Sequence, residues 1–142
     1  MPQEPSPSRR RGVAALVVRE NRLLVIRRGR LVVAPGAICF PGGGIEPGES
    51  ESEALVRELQ EELGIAVTPH ECVWRSLTPW GVEMAWWRAE FDNRTQPTAN
   101  PQEVEASYWL TPEELLARDD LLQSNREFLQ AAAERPELLN LR

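Results

Sequence analysis

The chain has 142 residues, 42% of them hydrophobic, with a formal net charge of -6. That is enough for one domain with a real core and too little for two. An acidic balance argues against tracking a nucleic-acid polymer, whose phosphates attract basic faces. A small anionic ligand stays open if local arginines and a cation supply positive charge.

Residues 1–8 (MPQEPSPS) offer little to bury and are expected to form a flexible tail, leaving residues 9–142 as a single domain. No apolar leader precedes the domain and no apolar run approaches the length of a membrane span, so a cytoplasmic, membrane-free protein is expected. Cys39 and Cys72 form no metal-binding pattern and read as small buried hydrophobes. The Arg9-Arg10-Arg11 triple reads as a solvated junction between tail and strand.

Gly12–Val18 is apolar and β-branched, a buried strand. Glu20-Asn21 supplies a turn, and Leu23–Ile26 a second strand hairpinned to the first. A loop through Pro35-Gly36 leads to a short strand at Ala37–Phe40. A helix follows, opened by the capping box Ser50/Glu53 and closed by Gly64. Its apolar stripe is Leu55, Val56, Leu59 and Leu63. Ala66-Val67, Cys72–Leu77, Val82–Phe91 and Ser107–Leu110 are strand candidates, with Thr78–Gly81 as a turn and Asp92–Gln102 as a polar loop. Pro112 sits at the first position of a helix begun at Thr111, and a last helix covers Leu121–Ala133. Strands, helix, strands, helices is not strict βαβ alternation, so a sandwich with a mixed sheet is favoured over a doubly wound fold.

The chemistry lies on the first helix. Glu58, Glu61 and Glu62 fall at i, i+3 and i+4, so their carboxylates share a face and repel one another. A divalent cation turns that repulsion into coordination, and oxygen donors of this kind suit Mg2+ or Mn2+ rather than zinc. An ordinary solvated helix face is the plain alternative for these glutamates taken alone.

The wider pattern decides between them. Phe40-Pro41-Gly42, Gly43, Glu49, Arg57-Glu58-Leu59, Glu61-Glu62 and Gly64-Ile65 stand at the spacing of the Nudix box, and the chain resembles a MutT-like Nudix hydrolase over Phe40–Ile65. The resemblance implies an α/β/α sandwich and Mg2+- or Mn2+-dependent hydrolysis of a nucleoside diphosphate derivative. Glu58, Glu61 and Glu62 would then be metal ligands, joined by the Gly42 carbonyl. Glu58 or a loop glutamate would be the base, and Arg57 would orient the carboxylates. Glu49 would brace the joint between loop and helix.

By the same resemblance Glu103, six residues before Trp109, is an extra acid across the cleft, with Glu105 as its neighbour; a solvated loop glutamate is the alternative. Arg28 stands where MutT-like members hold substrate phosphate, and a plain surface arginine is its alternative. Asn125 resembles the asparagine that reads a purine, the competing role being a helix N-cap. Pro79 lies near a proline of ADP-ribose pyrophosphatases but suits a turn equally. The only tyrosine is Tyr108, which disfavours diadenosine polyphosphate hydrolases. Trp86 and Trp87 face opposite sides of a strand, one for the core and one for the cleft or a homodimer interface. His70 reads as part of a surface turn.

The reading favours a nucleoside triphosphate, oxidised or not, ahead of ADP-ribose or a nucleotide sugar. The rivals are removal of RNA 5′ triphosphate ends and a binding module without hydrolysis. Retention of every box glutamate argues against the second.

Overall fold

The computed structural model describes residues 10–141. The expected tail, and Arg9, lie outside the described residues. Eight strands occur in the order β1 (Arg10–Leu16), β2 (Val18–Arg19), β3 (Arg22–Arg28), β4 (Ile38–Cys39), β5 (Gly42–Gly44), β6 (Thr68–Leu77), β7 (Val82–Glu90) and β8 (Val104–Leu110). Helix α1 (Glu51–Leu63) lies between β5 and β6, while α2 (Pro112–Leu116) and α3 (Gln123–Glu134) follow β8.

The strands form two four-stranded sheets. One has the order β5-β1-β7-β6, with β1 and β7 parallel and the other pairs antiparallel. In the other, β3 pairs antiparallel with β2, β4 and β8. Strand alternation sends Val13, Ala15, Leu24, Ile26 and Ala85 to one core, where Leu55, Leu59 and Leu63 of α1 meet them. It sends Ala14, Leu16, Leu23, Val25 and Trp86 to a second core against Leu115 of α2 and Phe128 and Leu129 of α3. Helices thus cover both faces, which is the α/β/α sandwich expected.

Several elements differ from the sequence reading. The run Gly12–Val18 is split between sheets: β1 is apolar on both faces and takes a central place between β5 and β7. Only β2 makes the hairpin with β3, through Glu20 and Asn21 at φ 49 and 63. Positive φ at both turn residues gives the twist that two-residue hairpins need.

Ala66-Val67 is not a strand, and β6 begins at Thr68 instead. His70 therefore lies within an edge strand rather than a turn, its Nε2 3.4 Å from Glu90 Oε1. An edge position admits Pro69 because no partner needs its missing N–H. Strand β8 starts at Val104, before the expected Ser107, since it pairs along nearly all of β3.

Val56 stands 38% exposed at the margin of the helix stripe, and Ala54 takes a buried place there. Trp86 is wholly buried, stacked on Phe128 with ring centroids 4.8 Å apart. Cys39 is buried, Cys72 half-buried, and both are free thiols. Among the described residues no helix is long and apolar enough to cross a membrane.

Candidate active site

The site is set by how α1 is fixed at its two ends. Ser50 Oγ accepts from the Glu53 N–H at 3.1 Å, and Glu53 Oε1 accepts from the Ser50 N–H at 2.8 Å. At the far end Gly64 adopts φ 65 and donates its N–H to the Gln60 carbonyl. Glu51 adds a lateral anchor, accepting from Arg75, Arg11 and the Trp87 indole N–H. With the leucines buried inward, this roll aims Glu58 and Glu62 at the glycine strand β5.

Two glycines there sit where a Cβ would collide with the present arrangement. A Cβ on Gly43 would come within 2.4–2.6 Å of the Glu58 carboxylate. On Gly42, at φ 152, it would lie 2.0 Å from the Val13 carbonyl oxygen. The family resemblance makes the Gly42 carbonyl a metal ligand, and a glycine lets backbone come close to an ion. The structure adds a nearer cause, the packing of β5 on β1.

Glu62 is 7% exposed and accepts a hydrogen bond from the Gly42 N–H at 2.9 Å. Burial pushes its carboxyl up to about 8, the Gly42 N–H opposing the shift and the charges of Glu58 and Glu103 adding to it. Glu58 is also raised, chiefly by burial, with Glu61 and Glu103 contributing against the pull of Arg57. The Glu103 Oε2 oxygen is buried and has no hydrogen-bond partner.

Arg57 organises the other side. Its Nε and Nη2 donate to the two oxygens of Glu49 at 2.7 and 2.9 Å, a fork-to-fork pair. The same guanidinium donates to Glu58 Oε1 at 2.9 Å, to the Gly44 carbonyl at 2.8 Å and to Glu61 Oε2 at 3.3 Å. This holds Glu49 down to about 2, since the hydrogen-bonded guanidinium favours the charged carboxylate. Glu49 also accepts from the Glu46 N–H, so it joins the turn to the helix.

The structure therefore brings Glu58, Glu62, Glu103 and Gly42 together. Glu61 lies at the rim beside them, its side chain 47% exposed and bonded to the same Arg57 nitrogen as Glu58. Arg28 faces the cluster from β3: it donates to Cys39 Sγ at 3.7 Å and its charge favours the Glu62 carboxylate. Glu105 is exposed on β8.

Asn125 is buried on α3, on the opposite face of the sandwich from α1. Leu122, not Asn125, is the N-cap of that helix. The Asn125 Oδ1 accepts from the Phe40 N–H at 2.8 Å, two residues before Gly42. Trp87 lines an open groove of about 520 Å³ with Val56 and Arg57 of α1 and Pro69 of β6.

The donor set suits a hard divalent cation on three observations: oxygen donors only, acids that repel one another, and an unpartnered buried carboxylate oxygen on Glu103. Among the described residues no three acidic, histidine or cysteine side chains hold an ion as they stand, with Glu58 and Glu61 drawn onto Arg57. Sequence reasoning missed Gly43 as the residue against Glu58, Glu51 as the anchor, and Asn100, which binds the end of α1. Only Asn100 carried a local signal, an Asn-Pro pair in the loop.

Comparison with known proteins gives a class. The NUDIX domain matches residues 8–132. The chain is 37% identical over 108 residues to the CTP pyrophosphohydrolase of Escherichia coli K12, covering 73% of this chain and 77% of that protein. In structure it resembles the E. coli ORF135 protein at a TM-score of 0.71 and 30% identity, over 89% of this chain and 90% of that one. It superposes on a MutT protein of Methanosarcina mazei Go1 at a TM-score of 0.79 and 20% identity, over 94% and 99% of the two chains, a likeness of fold. The chain belongs to the Nudix family and is in class a hydrolase of phosphoanhydride bonds.

Proposed function

We propose that this chain is a Mg2+- or Mn2+-dependent pyrophosphohydrolase that splits a nucleoside triphosphate into monophosphate and pyrophosphate. The observation that carries the reading is the convergence of Glu58, Glu62 and Glu103, one of whose oxygens is buried without a partner. The name of the E. coli relative, a CTP pyrophosphohydrolase, favours a triphosphate over ADP-ribose.

Glu58, Glu62 and Glu103, with Glu61 and the Gly42 carbonyl, would hold the cation. When bound, such an ion activates water for attack on phosphorus and neutralises the departing phosphate. Arg57 orients Glu58 through their 2.9 Å hydrogen bond and holds the glycine turn through Gly44. Glu58 or Glu103 takes the proton of the attacking water, each being a carboxylate within the cluster. Arg28 contributes a guanidinium for substrate phosphate beside the cluster. Asn125 reads the base from the opposite side of Phe40, exchanging its intramolecular hydrogen bond for one to the nucleotide.

A screen of nucleoside triphosphates, their oxidised forms, ADP-ribose and nucleotide sugars with each ion tests the reading. Monophosphate and pyrophosphate from a triphosphate support it. AMP and ribose phosphate from ADP-ribose, with triphosphates untouched, would replace it.

A further inference from the structure

The last carbonyls of α1 have no partner within the helix, and such groups need capping from elsewhere. Here the loop before β8 supplies the caps. The Thr98 N–H donates to the Leu63 carbonyl at 2.8 Å, and the Asn100 N–H to the Glu62 carbonyl at 2.9 Å. The Asn100 side-chain Nδ2 donates to the Glu61 carbonyl at 3.1 Å. Asn100 thus grips the backbone of two residues whose side chains belong to the acidic site.

Its acceptors point the other way along the chain. Asn100 Oδ1 accepts from the Gln102 N–H at 3.1 Å. The Asn100 carbonyl accepts from the N–H groups of Glu103 and Val104, at 3.0 and 2.8 Å. Glu103 is then locked from its far side, its carbonyl accepting from the Gly29 N–H at 2.9 Å. One residue therefore links the helix that carries Glu58, Glu61 and Glu62 to the tight turn that carries Glu103.

We propose that Asn100 is a positioning residue for the reaction, setting the Glu103 carboxylate against Glu58 and Glu62 by tying its loop to the last turn of α1. The inference rests on the metal-dependent reading above. Its signature is energetic coupling. Removing the Asn100 side chain costs function only while Glu103 has a carboxylate to misplace, because groups that act as one unit are not additive.

A double-mutant cycle tests this with Asn100→Ala, Glu103→Gln and both together. Mn2+ affinity is read by calorimetry without substrate, and kcat/KM with a triphosphate. Residues that orient metal ligands typically cost about 10- to 100-fold in affinity or activity when removed. Asn100→Ala should weaken Mn2+ binding and kcat/KM within that range beside native Glu103, and by less than about threefold beside Glu103→Gln. Equal losses in both backgrounds, or no loss in either, overturn the inference and leave the metal reading standing. If the unaltered chain takes up no Mn2+, the metal reading falls and takes the inference with it. Asn100→Asp keeps the acceptor for Gln102 and gives up the donor to Glu61, so it runs the same cycle if the alanine variant does not fold.

Discussion

Glu62 and Gly42 are joined by a single hydrogen bond, backbone N–H to Oε1 at 2.9 Å, that ties the acidic helix to the glycine strand. The bond stabilises a carboxylate that burial disfavours, and it needs β5 pressed onto β1, where only glycine fits. Helix, strand and acid are therefore set by one another.

The two glycines of β5 should fail differently. Gly42→Ala places a Cβ against a backbone carbonyl in a conformation that side chains rarely adopt, so a loss of roughly 2–4 kcal/mol is expected, together with activity. Gly43→Ala meets the mobile end of Glu58, so the fold should lose less than about 1 kcal/mol while kcat/KM falls about 100-fold. Thermal melts and steady-state kinetics on both variants distinguish the two outcomes.

Glu62 predicts a pH-dependent stability. Its folded value, about 8, lies above the ordinary value near about 4.3 of an unfolded chain. Its contribution to stability is then fully present below pH ~4.3 and is lost as pH rises through about 8. With divalent ions chelated, Glu62→Gln should be more stable than the unaltered chain at pH 8.5, by roughly 1–3 kcal/mol, and nearly equal at pH 5. Chemical denaturation at the two pH values measures the difference.

Arg57 serves Glu49, Glu58, Glu61 and the Gly44 carbonyl at once, which a lysine cannot do with a single ammonium. Arg57→Lys should cut kcat by about 100-fold or more and lower stability by about 1–2 kcal/mol. A lysine variant with parental kcat would contradict the orienting role.

Asn125→Ala leaves the Phe40 N–H buried and without its acceptor, a cost of about 1–3 kcal/mol. If Asn125 also reads the base, the variant raises KM for the nucleotide more than it lowers kcat. Calorimetric melts and initial rates give both quantities.

What could be read from the chain was whatever local chemistry decides. Ser50, Glu53 and Gly64 marked the ends of α1 because caps act within one turn, and the leucine spacing fixed its buried side. That Glu58, Glu61 and Glu62 share one side of α1 was legible for the same reason. Glu61 bonds Arg57 as an i,i+4 pair within α1, so that contact is local as well. The division of residues 10–19 between two sheets depended on partners far along the chain, β5 and β7 for one half and β3 for the other. The link from Asn100 to α1 spans about forty residues and leaves no periodicity to find.

Calorimetric titration of the chelator-treated chain with Mn2+, beside Glu62→Gln, bears most directly on the central claim that these carboxylates bind a hard cation. Saturable uptake by the unaltered chain, weakened about 10-fold or more in the variant, is the predicted result. No heat of binding, together with unchanged nucleotide hydrolysis in excess chelator, would contradict it.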